Sequence, residues 1–133
     1  MNTCALALFV CFVLLVAGCK TGGVTGRLHE VLVSEIKRWG GNPAVSETPA
    51  TVPARWIIKR DRFGTVLYTA DLTFKQVNEY LTRAYGPPRK GGITAEGHQQ
   101  WVIPATIAGV SIWYAESDGG IRITVLKPLR IGE

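Results

Sequence analysis

Apolar residues in the first half of the chain recur at intervals of three and four, which is the spacing of one face of an α-helix. The stripe consists of Leu28, Val31, Leu32, Ile36 and Trp39. Polar and charged residues occupy the other side, and Gly40-Gly41 follows, a pair suited to the positive φ that ends many helices. The pattern predicts an amphipathic helix over residues 26–39.

A proline-rich segment follows this helix. Pro43, Pro49 and Pro53 lie among small and polar residues, and proline cannot continue a helix because it lacks the N–H donor. We therefore interpret residues 40–54 as an extended linker. Residues 55–133 are then expected to form a small domain that is separate from the first helix.

The predicted domain begins with a hairpin. Residues 55–61 alternate between two sides of a strand, Gly64 marks a turn, and residues 65–70 return as a second β-rich segment. A capping box comes next, because Thr73 is placed to cap a helix and Gln76 stands three residues later. The sequence predicts a helix over residues 74–85, ended by a Gly-Pro-Pro run.

The last third of the chain has a β pattern, with strands predicted at 99–103, 110–116 and 121–127. Side-chain parity indicates the register of the last two strands. With a two-residue loop at Asp118-Gly119, Tyr114 lies opposite Ile123 and the apolar residues share one face. The other face then carries Trp113, with Thr124 opposite.

The resulting order of elements is ββαβββ behind a leading helix. Such an order predicts an α+β two-layer sandwich. We expect a mainly antiparallel sheet of four to five strands with one or two helices packed on it.

The N-terminal residues form an uncharged apolar run from Cys4 to Cys19. The run is shorter than the roughly 20 apolar residues needed to cross a bilayer. It ends in Leu15-Val16-Ala17-Gly18-Cys19, in which aliphatic Val16 and the small residues Ala17 and Gly18 precede the cysteine. This arrangement resembles the lipobox of bacterial lipoproteins.

The resemblance implies that residues 1–18 are a signal peptide, cut between Gly18 and Cys19. Cys19 would then carry a diacylglyceryl thioether and usually an acyl chain such as palmitate on its amine, with residues 19–25 as a lipidated tether. It implies anchorage in a bacterial cell envelope. Lys20 stands where many inner-membrane lipoproteins have Asp, so a Gram-negative host would place the chain in the outer membrane, facing the periplasm.

The charge and cysteine content of the mature chain follow from cleavage between Gly18 and Cys19. All 15 basic and 10 acidic residues lie beyond residue 18, so the net charge of +5 belongs to the exported part. Cys4 and Cys11 leave with the signal and Cys19 is acylated, so the mature domain has neither a free thiol nor a disulfide.

The expected partners are the bilayer, through Cys19, and an envelope protein, whereas nucleic acid is not expected at that location.

The sequence offers little catalytic chemistry. Its two histidines are His29 and His98, and the pair Glu96 and His98 has no third ligand at a metal-binding spacing. We therefore expect no catalytic residues, no metal and no cofactor.

A second sequence pattern, Arg89-Lys90-Gly91-Gly92, combines cations with glycines but lacks the spacing of a phosphate-binding loop. We interpret it as a surface loop. Together with Glu96 and His98 it defines the alternative function, a small ligand-binding or hydrolytic envelope domain.

The favoured function is a non-enzymatic interaction or structural module at the membrane surface. Trp113 is the candidate contact residue, because parity turns it away from the predicted core and Arg122 lies within diagonal reach. One alternative stays open at this point. A helix, for example residues 26–39, would cover that face and make it a second core.

Mutation of the lipobox cysteine tests the processing hypothesis. We expect the mature protein to begin at Cys19 with lipid attached, and Cys19→Ala to leave the precursor uncut, because the thiol is the site of acylation. Intact mass spectrometry of membrane-extracted protein measures both. A main species that keeps an unmodified Met1, or has an unacylated Cys19, would contradict the hypothesis.

Overall fold

The computed structural model describes residues 23–45, 52–94, 97–103 and 109–128. In chain order the elements are β1 (Val24–Arg27), α1 (Leu28–Arg38), β2 (Pro53–Arg60), β3 (Gly64–Thr69), α2 (Phe74–Tyr85), β4 (Arg89–Ile93), β5 (Gln99–Val102), β6 (Ser111–Ser117) and β7 (Gly120–Leu126). The predicted signal peptide, its cleavage site and Cys19 lie outside these ranges. Neither α1 nor α2 is long and apolar enough to cross a membrane.

The seven strands form one antiparallel sheet in the order β1-β2-β3-β7-β6-β5-β4. Residues of both helices share one hydrophobic core with one face of this sheet. The α+β class is therefore confirmed. The predicted number of four to five strands is wrong, because the described sheet has seven.

The two strands that the sequence pattern does not predict are the two edges of the sheet. The pattern assigns Val24–Arg27 to the tether and the start of the helix, and Arg89–Ile93 to a surface loop, and both assignments are wrong. Alternating apolar residues are expected where one face of a strand is buried, but nearly all residues of these two edge strands are exposed. Their glycines and cations therefore show no strand pattern in the sequence.

The predicted hairpins are confirmed. β2 pairs with β3, and β6 pairs with β7 in the expected register, with Tyr114 opposite Ile123 and Trp113 opposite Thr124. The loop between β6 and β7 contains Asp118 at φ 49° and Gly119 at φ 77°. Two successive positive φ values are typical of the type I′ turn, whose twist matches that of the two strands.

Helix α2 begins at the predicted capping box. The Gln76 backbone N–H donates to Thr73 Oγ1 at 3.2 Å, and the Thr73 N–H donates to Gln76 Oε1 at 2.8 Å. Phe74, at the start of the helix, packs on the rings of Trp101 and Tyr114, with centroid distances of 4.2 and 5.7 Å. These contacts place α2 over β5 and β6.

Helix α1 starts at Leu28, two residues later than predicted, and ends at the predicted glycines. Gly40 has φ +86°, its N–H donates to the carbonyl of Lys37, and the N–H of Gly41 donates to that of Ile36. This pair of hydrogen bonds is the Schellman arrangement.

The expectation that α1 is separate from the domain is wrong. Leu28, Leu32 and Ile36 are fully buried and lie in the same core as Trp56 and Leu67 of the sheet. The physical reason is β1, which pairs with β2 directly before the helix begins. The proline-rich segment therefore joins two parts of one core, and its last two residues, Pro53 and Ala54, belong to β2.

A buried carboxylate fastens α1 to the sheet. Glu35 is only 1 % exposed, and it accepts two hydrogen bonds from Arg60, at 2.8 and 3.0 Å, and one from the Thr65 hydroxyl at 2.8 Å. The Trp39 indole N–H donates to the same Thr65 hydroxyl at 2.8 Å. Burial alone would raise the pKa of Glu35, but these hydrogen bonds and the charges of Arg60 and Arg38 bring it below its ordinary value of 4.5.

Substitution of a core leucine tests whether α1 belongs to the domain. Leu32→Ala should lower the free energy of unfolding by about 3 kcal/mol, because it leaves a cavity in the shared core. Val33→Ala, at the neighbouring half-buried position, should change it by less than about 1 kcal/mol. Urea unfolding followed by circular dichroism measures both variants, and equal effects would contradict the shared core.

The pH dependence of stability tests the Glu35 network. Because the pKa of Glu35 is lowered in the folded state, its charge stabilises the fold above the ordinary carboxyl pKa, and this contribution is lost as pH falls through the lowered value. Glu35→Gln should therefore be less stable than the wild type at neutral pH, and the difference should shrink in acid. Urea unfolding from pH 7 to pH 3 measures it, with exposed Glu30→Gln on the same helix as the control.

Candidate functional site

The face of the sheet opposite the core is not covered by either described helix. We call it the helix-free face and define it by the outward positions of six strands. Its members are Ile57, Lys59, Val66, Tyr68, Arg89, Val102, Ser111, Trp113, Ala115, Arg122, Thr124 and Leu126. Cross-strand partners point to the same side of a sheet, so the register alone places these side chains together.

One row of cross-strand neighbours spans nearly the whole face. In spatial order it reads Lys59, Val66, Thr124, Trp113, Val102 and Arg89. Neighbouring strands lie about 4.8 Å apart, so the row is about 24 Å long. It has a cation at each end and an indole ring between them.

The Trp113 side chain is half-buried on the helix-free face. A Cβ atom at Gly91 of β4 would lie 3.1 Å from Cζ3 of the indole and 2.9 Å from the Gln100 carbonyl oxygen. The glycine therefore gives the ring room to lie along the sheet surface. The alternative that residues 26–39 cover this face is wrong, because α1 packs on the opposite one.

A second row places Arg122 beside aromatic and apolar neighbours. It consists of Ile57, Tyr68, Arg122 and Ala115. The Tyr68 hydroxyl donates a hydrogen bond to the Asp118 carbonyl oxygen at 3.1 Å, which holds the ring at the end of the sheet near the β6–β7 turn. Arg122 lies diagonal to Trp113 across β6 and β7, as the sequence predicts.

The helix-free face is cationic. Its defining positions include Lys59, Arg89 and Arg122 but no carboxylate. Asp71 lies at one corner, and there Arg55 binds it through Nε at 3.0 Å, Nη2 at 3.1 Å and its backbone N–H at 2.8 Å. The side-chain and backbone hydrogen bonds from Arg55 lower the pKa of Asp71 to about 2, so its negative charge is matched by the guanidinium.

The helix side of the molecule has a different charge pattern. Exposed residues of both signs lie there, namely Glu30, Lys37 and Arg38 on α1 and Lys75, Glu79 and Arg83 on α2. The two sides thus differ mainly in their acidic residues. The helix side has them, and the strand positions that define the helix-free face do not.

A shallow groove borders the same face at its β1 corner. It has a volume of about 410 Å³, and Ile57, Tyr68 and Arg55 line it together with Gly23 and Val24 at the start of the described chain. The groove therefore lies where the N-terminal segment joins the sheet.

The residues of the alternative ligand or hydrolytic site do not converge. Arg89 and Lys90 begin β4, while His98 lies at the other end of the β4–β5 hairpin, three residues and about 10 Å along β5 from Trp101, the partner of Lys90. Adjacent positions on a strand point to opposite faces, so Arg89 and Lys90 are themselves divided. Glu96 lies outside the described residues.

The two histidines occupy unrelated places. His29 Nδ1 lies 2.7 Å from the Tyr80 hydroxyl, a contact between the two helices. His98 borders a groove of about 410 Å³ that Glu116 and Asp118 also line. Among the described residues no three His, Cys, Asp or Glu side chains are grouped so that they could hold a metal ion.

Sequence reasoning identifies Trp113 and Arg122 but misses Lys59, Val66 and Tyr68. Alternation along β2 and β3 shows which of their side chains share a side. Nothing local shows that β3 pairs with β7, residues more than 50 positions away, and this pairing joins the two halves of the face.

Comparison with known proteins yields no match to a protein-family model, to a curated protein or to a solved structure.

Proposed function

We propose that the chain is a lipid-anchored protein of the bacterial cell envelope that acts as a non-enzymatic interaction module. The resemblance of Val16-Ala17-Gly18-Cys19 to a lipobox supports the anchor at Cys19. The helix-free face is the contact surface of the module. It positions the domain, or a component bound to it, at the membrane.

The observation that carries this proposal is the composition of the helix-free face. Half-buried Trp113 and Tyr68 share it with Ile57, which is 41 % exposed, and with cations at both ends of its central row. Tryptophan, tyrosine and arginine are enriched in the centres of binding surfaces, since they combine a large contact area with polar groups. A sheet face with this composition is suited to contact rather than to catalysis.

A ligand-binding or hydrolytic site among Arg89, Lys90 and His98 has less support. Such a site needs its groups within hydrogen-bond reach of one substrate. The distance along the hairpin and the opposite directions of Arg89 and Lys90 do not provide this.

Site-directed cysteine labelling tests the proposed contact surface, because the predicted mature chain has no other free thiol. Ser111→Cys lies on the helix-free face, and Ser34→Cys, an equally conservative change, lies on the exposed side of α1. In isolated envelope fragments, a water-soluble maleimide should modify position 111 at least about tenfold more slowly than after detergent solubilisation. Position 34 should react at similar rates in both preparations.

The labelling rate at position 111 tests the contact surface, and the mass of the recovered protein tests the lipid anchor. Equal reactivity of position 111 in envelope fragments and in detergent would contradict the contact surface. Recovery of the chain in the soluble fraction with an unmodified Cys19 would contradict the anchor.

A further inference from the structure

The distance between the proposed lipid and the sheet is short. Only residues 20–23 separate Cys19 from Val24, the first residue of β1. The five residue steps from Cys19 to Val24 span at most about 18 Å when fully extended. The β1 edge therefore stays within about two Debye lengths of the membrane surface at physiological ionic strength.

Two orientations are compatible with such a tether. If the sheet stood on its β1 edge, β4 and Arg89 would lie about 29 Å further from the surface, six strand spacings away. If the sheet lay flat, one of its two sides would contact the membrane. The charge pattern of the two sides decides between them.

The helix-free face complements an anionic membrane surface. Its defining positions provide three cations and no carboxylate, whereas the helix side mixes both signs. Each basic residue near an anionic leaflet adds a favourable attraction, and each acidic residue would oppose it. At the positions that define the helix-free face, no acidic residue opposes the attraction to anionic headgroups, whereas Glu30 and Glu79 oppose it on the helix side.

The aromatic residues of this face suit the same environment. Trp113 and Tyr68 combine an apolar ring with a polar group, and such side chains concentrate at the level of lipid headgroups. Val66 and Val102 add apolar surface in the same row as Trp113, between the terminal cations. The row thus has apolar and aromatic groups at its centre and cations at its ends.

We propose that the helix-free face docks flat on anionic lipid headgroups of the membrane that anchors Cys19. This inference rests on the proposed function, since it takes the lipid anchor as given. The anchor supplies attachment, and the cations and aromatic rings set the orientation of the domain. The helix side then faces away from the membrane.

Vesicle experiments with the full mature, lipidated chain test the docking. Thr124→Cys, at the centre of the helix-free face, carries an environment-sensitive fluorophore, and Ser34→Cys carries the same fluorophore on α1. The vesicles contain phosphatidylcholine alone or a mixture with phosphatidylglycerol. We expect a blue-shifted emission and quenching by brominated lipids for position 124 in the mixed vesicles only, with position 34 unchanged.

A matched pair of charge variants tests the cause. Lys59→Gln with Arg89→Gln removes the cations at the ends of the row, and Lys75→Gln with Arg83→Gln removes the same two residue types from exposed positions of α2. The first pair should lower the ratio of docked to undocked protein by roughly 30-fold, and the second by less than about threefold. Circular dichroism melts establish that all variants fold.

The outcomes separate this inference from the proposed function. Equal emission from position 124 in both vesicle types, or equal effects of the two charge pairs, would overturn the docking. If position 111 is protected in envelope fragments but position 124 is not quenched in pure vesicles, a protein occupies the face, and the docking proposal is wrong while the interaction module stands. Failure of the lipidated chain to associate with any vesicle would instead contradict the anchoring role of the lipid at Cys19.

Discussion

The arrangement of the molecule depends on one buried carboxylate. Glu35 of α1 is almost inaccessible to water, so its charge is tolerated only where Arg60 of β2 and the Thr65 hydroxyl of β3 supply hydrogen bonds. Those donors lie on one face of the sheet. Any displacement of α1 by a turn would leave the carboxylate without partners. The hydrogen bonds of Glu35 therefore specify one register of the helix on the sheet. The apolar stripe beside it accounts for most of the burial but is less selective about register.

This constraint has a consequence on the other side of the sheet. Because α1 and α2 both pack on the core face, the opposite face is left without a described helix. Its side chains must then shield one another, and Trp113 does so by lying along the surface toward Gly91. The distribution of charge follows the same division, since the acidic side chains of the helices lie on the far side.

The described chain begins at one edge of this sheet. β1 pairs with β2, and the Trp56 indole N–H also donates to the Gly26 carbonyl oxygen at 3.0 Å. Val24–Arg27 is therefore held at an edge of the sheet by these hydrogen bonds. A lipid at Cys19 would keep that edge close enough to a bilayer for a cationic face to come within one Debye length of an anionic surface, where the two attract one another. In the proposed arrangement, the short tether and the one-sided placement of the helices would together set the orientation of the domain on the membrane.

Local signals in the sequence determined the two helices, the two hairpins and the β6–β7 register. Each depends on residues a few positions apart: the Thr73–Gln76 capping box, the glycines after α1 and the two-residue turn at Asp118-Gly119. Side-chain parity likewise sufficed to place Trp113 and Arg122 on one face. Only the tertiary structure decided that α1 joins the core, that two glycine-containing segments form the sheet edges, that Tyr68 lies beside Arg122, and that Lys59 stands in one row with Trp113. These features depend on pairings between distant residues, such as Glu35 with Arg60 and β3 with β7, and the local pattern carries no signal for them.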